Sequence, residues 1–250
     1  MKSLLLILFV FTSYFGLCAQ SDSSYFKANT LYQEGRYEEA IESYQSIVFA
    51  GFESSTLYYN LGNASFRSNK LGKARLYYEK ALKLNPSDED AKINLEYLKS
   101  KLADSFDEVP EIFYKKWYKS LVLSQSSNNW AYISMISFIF SAMALTFYLL
   151  MRNRTVRRLG FYSSILFLVM SILFLFASWK QYVKIKSPEA AIVTELSVNA
   201  KSAPRETGVG LFVLHEGAKV WLEDKAGGWQ EIRLSDGRTG WVPQESIEVI

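Results

Sequence analysis

Hydrophobic and polar positions follow three successive textures along the chain. From residue 25 to 101, apolar residues recur at helical spacing, as in Tyr58, Leu61, Gly62 and Phe66 and then Ala74, Tyr78 and Ala81. From Ser120 to Met151, and again from Leu159 to Trp179, no charged side chain interrupts the apolar run. After Ser187-Pro188 the runs become short and are punctuated by turn residues. There, Ala190–Thr194, Leu211–Leu214, Ala218–Leu222, Trp229–Leu234 and Thr239–Val242 read as five strands, with Asp236-Gly237 as a hairpin signal between the last two. The predicted fold class is a multidomain membrane protein. It comprises an all-α solenoid, a two-helix transmembrane hairpin and a small all-β barrel.

The middle texture orders the rest. A hydrocarbon core of roughly 30 Å takes about 20 helical residues, and residues 130–150 and 159–179 each supply that length. The short connection, residues 151–158, carries Arg152, Arg154, Arg157 and Arg158, which by the positive-inside bias places it in the cytoplasm. Both flanks then face the other side. Lys115, Lys116, Lys119, Lys180, Lys184 and Lys186 lie outside on this topology, against the bias. The arginines are denser and nearer the helix ends. Trp130, Tyr132 and Trp179 suit the headgroup boundary. Ser134, Ser137, Ser141, Ser163, Ser164 and Ser171 are small enough for two helices to approach closely. With no ionisable residue inside either span, ion or proton transport is not indicated.

Residues 1–19 read as a signal peptide: Lys2, an apolar core from Leu4 to Phe15, and small residues ending at Ala19. A lipidated Cys18 is the competing reading, against which Leu17 stands where a small residue is wanted. Cleavage after Ala19 leaves no cysteine, which excludes disulfides and thiol catalysis in the mature chain.

Net charge is +3, but its distribution changes the picture. Residues 21–101 carry 11 basic and 11 acidic side chains, and residues 187–250 carry 6 basic and 10 acidic. The surplus belongs to residues 102–186, with 10 basic and 4 acidic. Neither soluble region has a nucleic-acid footprint.

Residues 21–101 repeat themselves at a period of 34, Ala40 recurring as Ala74 and Tyr44 as Tyr78. The order Tyr58, Leu61, Gly62, Phe66, Ala74, Tyr78, Ala81, Pro86 resembles the tetratricopeptide repeat. The first copy has Ile47 and Phe52 where that family has Ala and Pro. A helix from about Ser87 to Lys101 caps the array. The resemblance implies stacked helix pairs and a concave groove lined by Tyr25, Asn29, Tyr32, Tyr59, Asn63, Phe66 and Arg67. Alternatively, several of these aromatics are core. Asn29 and Asn60 match the asparagines with which some members clamp a C-terminal carboxylate, but Tyr25 and Asp90 occupy the cation positions. Residues 102–129 are a linker, in which Pro110 to Leu123 reads as an interfacial helix mixing aromatics and lysines.

In residues 187–250, Leu211 to Gly217, Trp229 and Asp236 to Val242 are similar to bacterial SH3-like domains, which often bind cell-wall peptides or partner proteins. Phe212, Trp221, Trp229 and Trp241 either line a ligand surface or pack the strands. His215 has no evident second partner for metal or catalytic work. No Ser/His/Asp set, Cys/His set, phosphate-binding glycine loop or metal-ligand cluster is visible, so no enzyme and no cofactor is expected.

The order of parts resembles the BatE-like family of bacterial aerotolerance (Bat) operon proteins. The carriers are Leu61-Gly62 to Pro86, Pro110-Glu111-Ile112-Phe113 with Trp117, Ser126 to Ala131, and Gly240-Trp241-Val242. That resemblance implies an inner-membrane scaffold with both soluble domains periplasmic. Its partners would be membrane-anchored von Willebrand factor A proteins and a MoxR-type ATPase, in envelope integrity or oxidative-stress tolerance. The other reading is a sensor or anchor binding peptidoglycan peptides through the SH3-like domain.

Overall fold

The computed structural model describes residues 24–104 and 112–250; residues 1–19, with Cys18, lie outside them. The chain forms two compact units. One contains residues 24–82, 89–104 and 189–250, the other residues 83–88 and 112–188.

The first unit begins with five helices: α1 (residues 24–33), α2 (Tyr37–Phe49), α3 (Ser55–Arg67), α4 (Leu71–Leu84) and α5 (Glu89–Lys99). The 34-residue period reappears in the backbone. The turn after α1 is made by Gly35 (φ 78°) and that after α3 by Asn69 (φ 59°), the left-handed conformation these residue types tolerate best. In both turns the following amide reaches back to close the helix, Arg36 N–H to Leu31 and Lys70 N–H to Ser65, each at 2.9 Å. Small residues let the helices meet: Ala28, Ala40, Ala64, Ala74 and Ala81 are fully buried. At Gly62 an added Cβ would lie 2.6 Å from the Tyr78 ring, so the ring lies directly on the α3 backbone. Ser54 caps α3 by accepting the Leu57 N–H at 3.1 Å.

The same unit closes with a single antiparallel sheet of β1 (Ala190–Val193), β2 (Ser197–Lys201), β3 (Gly210–His215), β4 (Lys219–Ala226), β5 (Trp229–Arg233), β6 (Thr239–Pro243) and β7 (Ile247–Val249). Its order, β3-β2-β6-β5-β4-β1-β7, is open at β3 and β7 rather than closed into the expected barrel. Two strands exceed the five expected. β2 was hidden because Ser197, Asn199 and Lys201 alternate with only Val198 and Ala200 inward, and β7 spans three residues. Ala191, Val193, Val198, Leu214, Val220, Ile232, Leu234 and Val242 form the core. Gly227 and Gly228, both at positive φ (53° and 83°), make the β4–β5 hairpin, and Gly237 (φ 92°) makes the β5–β6 turn.

Repeats and sheet touch through polar contacts. The Glu216 carboxylate accepts the Gly72 N–H at 2.5 Å in the first turn of α4, where the helix dipole favours an anion. Arg75 donates to the Gly217 carbonyl at 2.7 Å, and Lys219 bridges to Glu79 at 2.7 Å. Lys80 faces Glu248 at 3.6 Å. Leu102 lies against Gly217, where any Cβ would be 2.6 Å from it.

The second unit holds α6 (Phe113–Val122), α7 (Ser127–Leu150) and α8 (Arg154–Lys186). Helices α7 and α8 are long and apolar enough to cross a membrane. They pack as an antiparallel pair whose seam is a serine ladder at heptad spacing. Ser127, Ser134 and Ser141 face Ser178, Ser171 and Ser164; five of the six hydroxyls donate to a carbonyl across the seam at 2.9–3.1 Å, and Ser164 meets the Ser141 hydroxyl at 3.4 Å. Four of the six expected serines are in this seam. Ser163 instead bonds to Leu159 of its own helix, and Ser127 and Ser178 join the ladder. The connection is shorter than residues 151–158: Arg154, Arg157 and Arg158 already belong to the first turns of α8, which Asn153 caps. Trp130 stacks on Phe174 and donates its indole N–H to the Val122 carbonyl at 2.9 Å.

Candidate functional site

The seven residues expected to line a groove lie on α1 and α3, the first helices of the two repeats. Four of them are tied into a polar network that occurs twice. In the first copy Tyr44 donates its hydroxyl to Asn29 Oδ1 at 2.6 Å, while Asn60 Nδ2 donates to the Tyr25 hydroxyl at 2.8 Å and to Asn29 Oδ1 at 3.4 Å. In the second copy Tyr78 donates to Asn63 Oδ1 at 2.7 Å. Asn94 Nδ2 completes it, reaching the Tyr59 hydroxyl at 3.2 Å and Asn63 Oδ1 at 2.9 Å. Each residue of one copy stands 34 positions from its counterpart in the other. The paired rings repeat as well, Tyr25 against Tyr44 at 5.9 Å and Tyr59 against Tyr78 at 6.1 Å.

The network has a structural cause. Tyr44 and Tyr78 are almost wholly buried, and a buried hydroxyl without a partner is costly. An asparagine one helix away accepts from each, and the next repeat's asparagine steadies it. Burial raises the hydroxyl pKa of Tyr44, Tyr58, Tyr77 and Tyr78 above the ordinary tyrosine value. For Tyr25 burial also raises it, partly offset by a hydrogen bond from Asn29. At the array's ends the pattern stops. Phe26 stands at the position of Asn60 and Asn94, Ile93 at that of Tyr25 and Tyr59, and Tyr97 at that of Asn29 and Asn63; all three are exposed.

The remaining residues expected to line the groove are half-buried aromatics and one exposed charge. Tyr32 meets Tyr37 edge-on at 5.3 Å, Phe66 meets Tyr97 edge-on at 5.8 Å, and the Arg67 guanidinium lies 4.7 Å over the Tyr37 ring. Asn94 and Tyr97 are participants that single-residue inspection misses, although they stand 34 residues after Asn60 and Asn63; Asn60, noted in the sequence only as a clamp asparagine, bonds instead to Tyr25 and Asn29. The first helix pair also carries a concavity of about 700 Å³ beside Glu34, Arg36 and Glu39, whose charges pair with one another.

On the sheet, the four aromatics expected to share a surface are divided. Trp221 pairs across from Arg233, and Trp241 from Glu231 and Lys201, on the face opposite Val220, Ile232 and Val242. Trp229 shares that face, buried under the Lys201 ammonium at 5.1 Å. Phe212 points the other way, pairs with Ala200 and packs against the core, with Arg238 4.9 Å above its ring. His215, unpartnered in the sequence reading, is held by Asp104: its N–H donates to Oδ2 at 2.6 Å and its Nδ1 lies 2.9 Å from Oδ1. Nothing in the local sequence signals that contact, which spans 111 residues. Among the described residues, no three His, Cys, Asp or Glu side chains converge as a metal site.

Two tetratricopeptide repeat family models match the chain, one over residues 21–48 and one over residues 55–88. No curated protein matches it. The matched segments hold every member of the Tyr–Asn networks except Asn94 on α5, and repeats of this kind suggest a protein–protein interaction scaffold.

Proposed function

We propose that this chain is a membrane-anchored interaction scaffold, exposed on the outer face of the bacterial inner membrane. There it assists a Bat-type complex of von Willebrand factor A proteins and a MoxR-type ATPase in envelope integrity or oxidative-stress tolerance. The observation that carries the reading is the composition of the first unit. Residues 24–82 and 189–250 fold together although the apolar hairpin separates them in the chain. Two segments that share one folded body lie on one side of any bilayer the hairpin crosses. The arginines at the hairpin tip support the assignment of that side. The neutral aromatic groove is the surface offered to protein partners.

Two measurements test this. Single cysteines at Gln33, Asn153 and Lys225, exposed positions, in a Cys18→Ala background, are probed in spheroplasts with a membrane-impermeant thiol reagent. Labelling is expected at 33 and 225 and not at 153; the inverse pattern sinks the topology. Photo-crosslinkers at Tyr32 and Arg67 in native membranes are expected to trap membrane-protein partners. If crosslinks form only from the sheet, the groove has no such role.

The half-buried Trp221 and Trp241, on one sheet face with β5 between them, favour a second reading in which the sheet binds peptidoglycan peptides. Retention of the full chain in detergent on purified cell wall, abolished by Trp241→Ala, is its expected signature. Lack of retention eliminates it.

A further inference from the structure

Resting on the membrane-anchored reading above, we infer that the hairpin end opposite the arginines is a binding surface for anionic phospholipid. Helix α6 lies there in the headgroup boundary, and the lysines of that end recognise the lipid phosphates. From residue 112 to residue 188 the chain has six lysines, four arginines and no aspartate or glutamate. The arginines sit at the tip, so Lys115, Lys116, Lys119, Lys180, Lys184 and Lys186 all belong to the other end. The positive-inside bias would leave that end poor in lysine, and six there need a separate cause. The segment supplies no carboxylate of its own. A bilayer brings anionic headgroups to that depth, and each lysine near them gains from the attraction.

The serine ladder sets the depth. Its last rung pairs Ser127 with Ser178, and α7 begins at Ser127, so residues 179–186 of α8 run on past its partner helix. At 1.5 Å per residue that overhang is about 12 Å. It is enough to cross the polar layer of one leaflet, about 5–8 Å thick. The overhang exposes Trp179 and Tyr182, with the Lys180 ammonium 5.9 Å from the first ring and that of Lys186 5.9 Å from the second. Lysine stems laid along rings, with their ammonium groups at the polar edge, are how such side chains sit at a headgroup layer.

Helix α6 is tied to the same level. Its last residue, Val122, is buried and accepts the indole N–H of Trp130 from the first turn of α7. Along α6, Phe113, Trp117 and Leu121 recur every fourth residue on one side, 82%, 68% and 46% exposed. A helix with an aromatic stripe and lysines at the other positions buries that stripe about 5–10 Å into the boundary of the acyl chains. A lipid leaflet offers both things this end lacks, an apolar layer and a phosphate layer above it. A protein surface would have to supply an apolar groove and a row of carboxylates in the same order.

For the test, the full chain is purified in a mild detergent with phosphatidylcholine in large excess over phosphatidylglycerol, and the phospholipid that stays bound is counted by class. Phosphatidylglycerol is expected to exceed its share at least about fivefold, the scale of one lysine at an anionic surface. The excess should shrink in salt of about 1 M, where screening acts within about 3 Å. Replacing all six lysines by glutamine is expected to remove most of the excess, and replacing the four arginines to leave most of it. No excess in wild type overturns the inference, as does an excess that survives without the lysines or is lost only without the arginines. A second measurement keeps the lysines in place. Bimane on Trp117→Cys or Ile139→Cys, each in a Cys18→Ala background, is exposed in nanodiscs to spin-labelled lipids. Position 117 is expected to be quenched by a label near the headgroup, and position 139, exposed midway along α7, by a deep one. If 139 is quenched and 117 is not, α6 does not lie on the bilayer, and the hairpin reading stands. If neither is quenched, the membrane reading itself fails and this inference with it.

Discussion

At the scale of single residues, the repeats are held by a few side chains that each have one workable identity. Gly62 is the sharpest case. Gly62→Ala drives a methyl group into the Tyr78 ring at 2.6 Å, and such overpacking costs about 1–3 kcal/mol. A lowered thermal midpoint of the helical signal in detergent is the expected readout; an unchanged midpoint would mean that Tyr78 moves freely. The buried tyrosines give a pH dependence. Their folded pKa values are raised, so the folded state keeps protons that the unfolded chain releases above its ordinary value of about 10. Stability from these groups is therefore complete below about pH 10 and lost as pH rises beyond it. A tyrosinate absorbance titration should show late, cooperative ionisation coincident with loss of helix. Early, non-cooperative ionisation would contradict the burial. These residues were half legible in the sequence. Periodicity placed Tyr25, Asn29, Tyr59 and Asn63 on the first helices, but that Tyr44 and Tyr78 would bond to those asparagines depends on packing between helices, which spacing alone does not encode.

At the scale of elements, the apolar helices were the clearest reading and their seam the least foreseen. Charge-free length announces α7 and α8, whereas the alignment of Ser127, Ser134 and Ser141 with Ser178, Ser171 and Ser164 follows from the register between two helices. Ser134→Cys/Ser171→Cys, in a Cys18→Ala background, is expected to form an intrachain disulfide on mild oxidation, since the two hydroxyls lie 3.2 Å apart. Ser134→Cys/Ser164→Cys should not, because it is out of register. Crosslinking of the second pair alone would shift the seam by two turns. The sheet shows the opposite balance: its strong turns were partly visible, while β2 and β7 escaped because polar outward residues and short length erase the alternation on which strand recognition depends.

At the scale of the molecule, repeats and sheet were expected as separate modules on one membrane face, whereas they form one unit. The sequence could not reveal this, because the joining residues are ordinary surface charges: Glu216 at the start of α4, Lys219 on Glu79, Asp104 on His215. Glu216→Lys replaces an anion at a helix N-terminus with a cation and removes the Gly72 contact, a change of about 1–2 kcal/mol. Wild type is expected to lose helical circular dichroism and tryptophan fluorescence in one transition, and the variant in two. A single transition in the variant would show that the charged contacts do not couple the halves.

The Glu216–Gly72 contact also sets a schedule for synthesis. A ribosome finishes α4 more than a hundred residues before it reaches Glu216, so the first-turn amide of that helix and the Arg75 side chain begin life without their eventual acceptors. The repeats can stack early from local contacts, but their face toward the sheet stays open until both apolar helices have been made and the chain has returned. A nascent chain halted inside the hairpin would thus display an unfinished surface, which makes the last quarter of the sequence the part that completes the first.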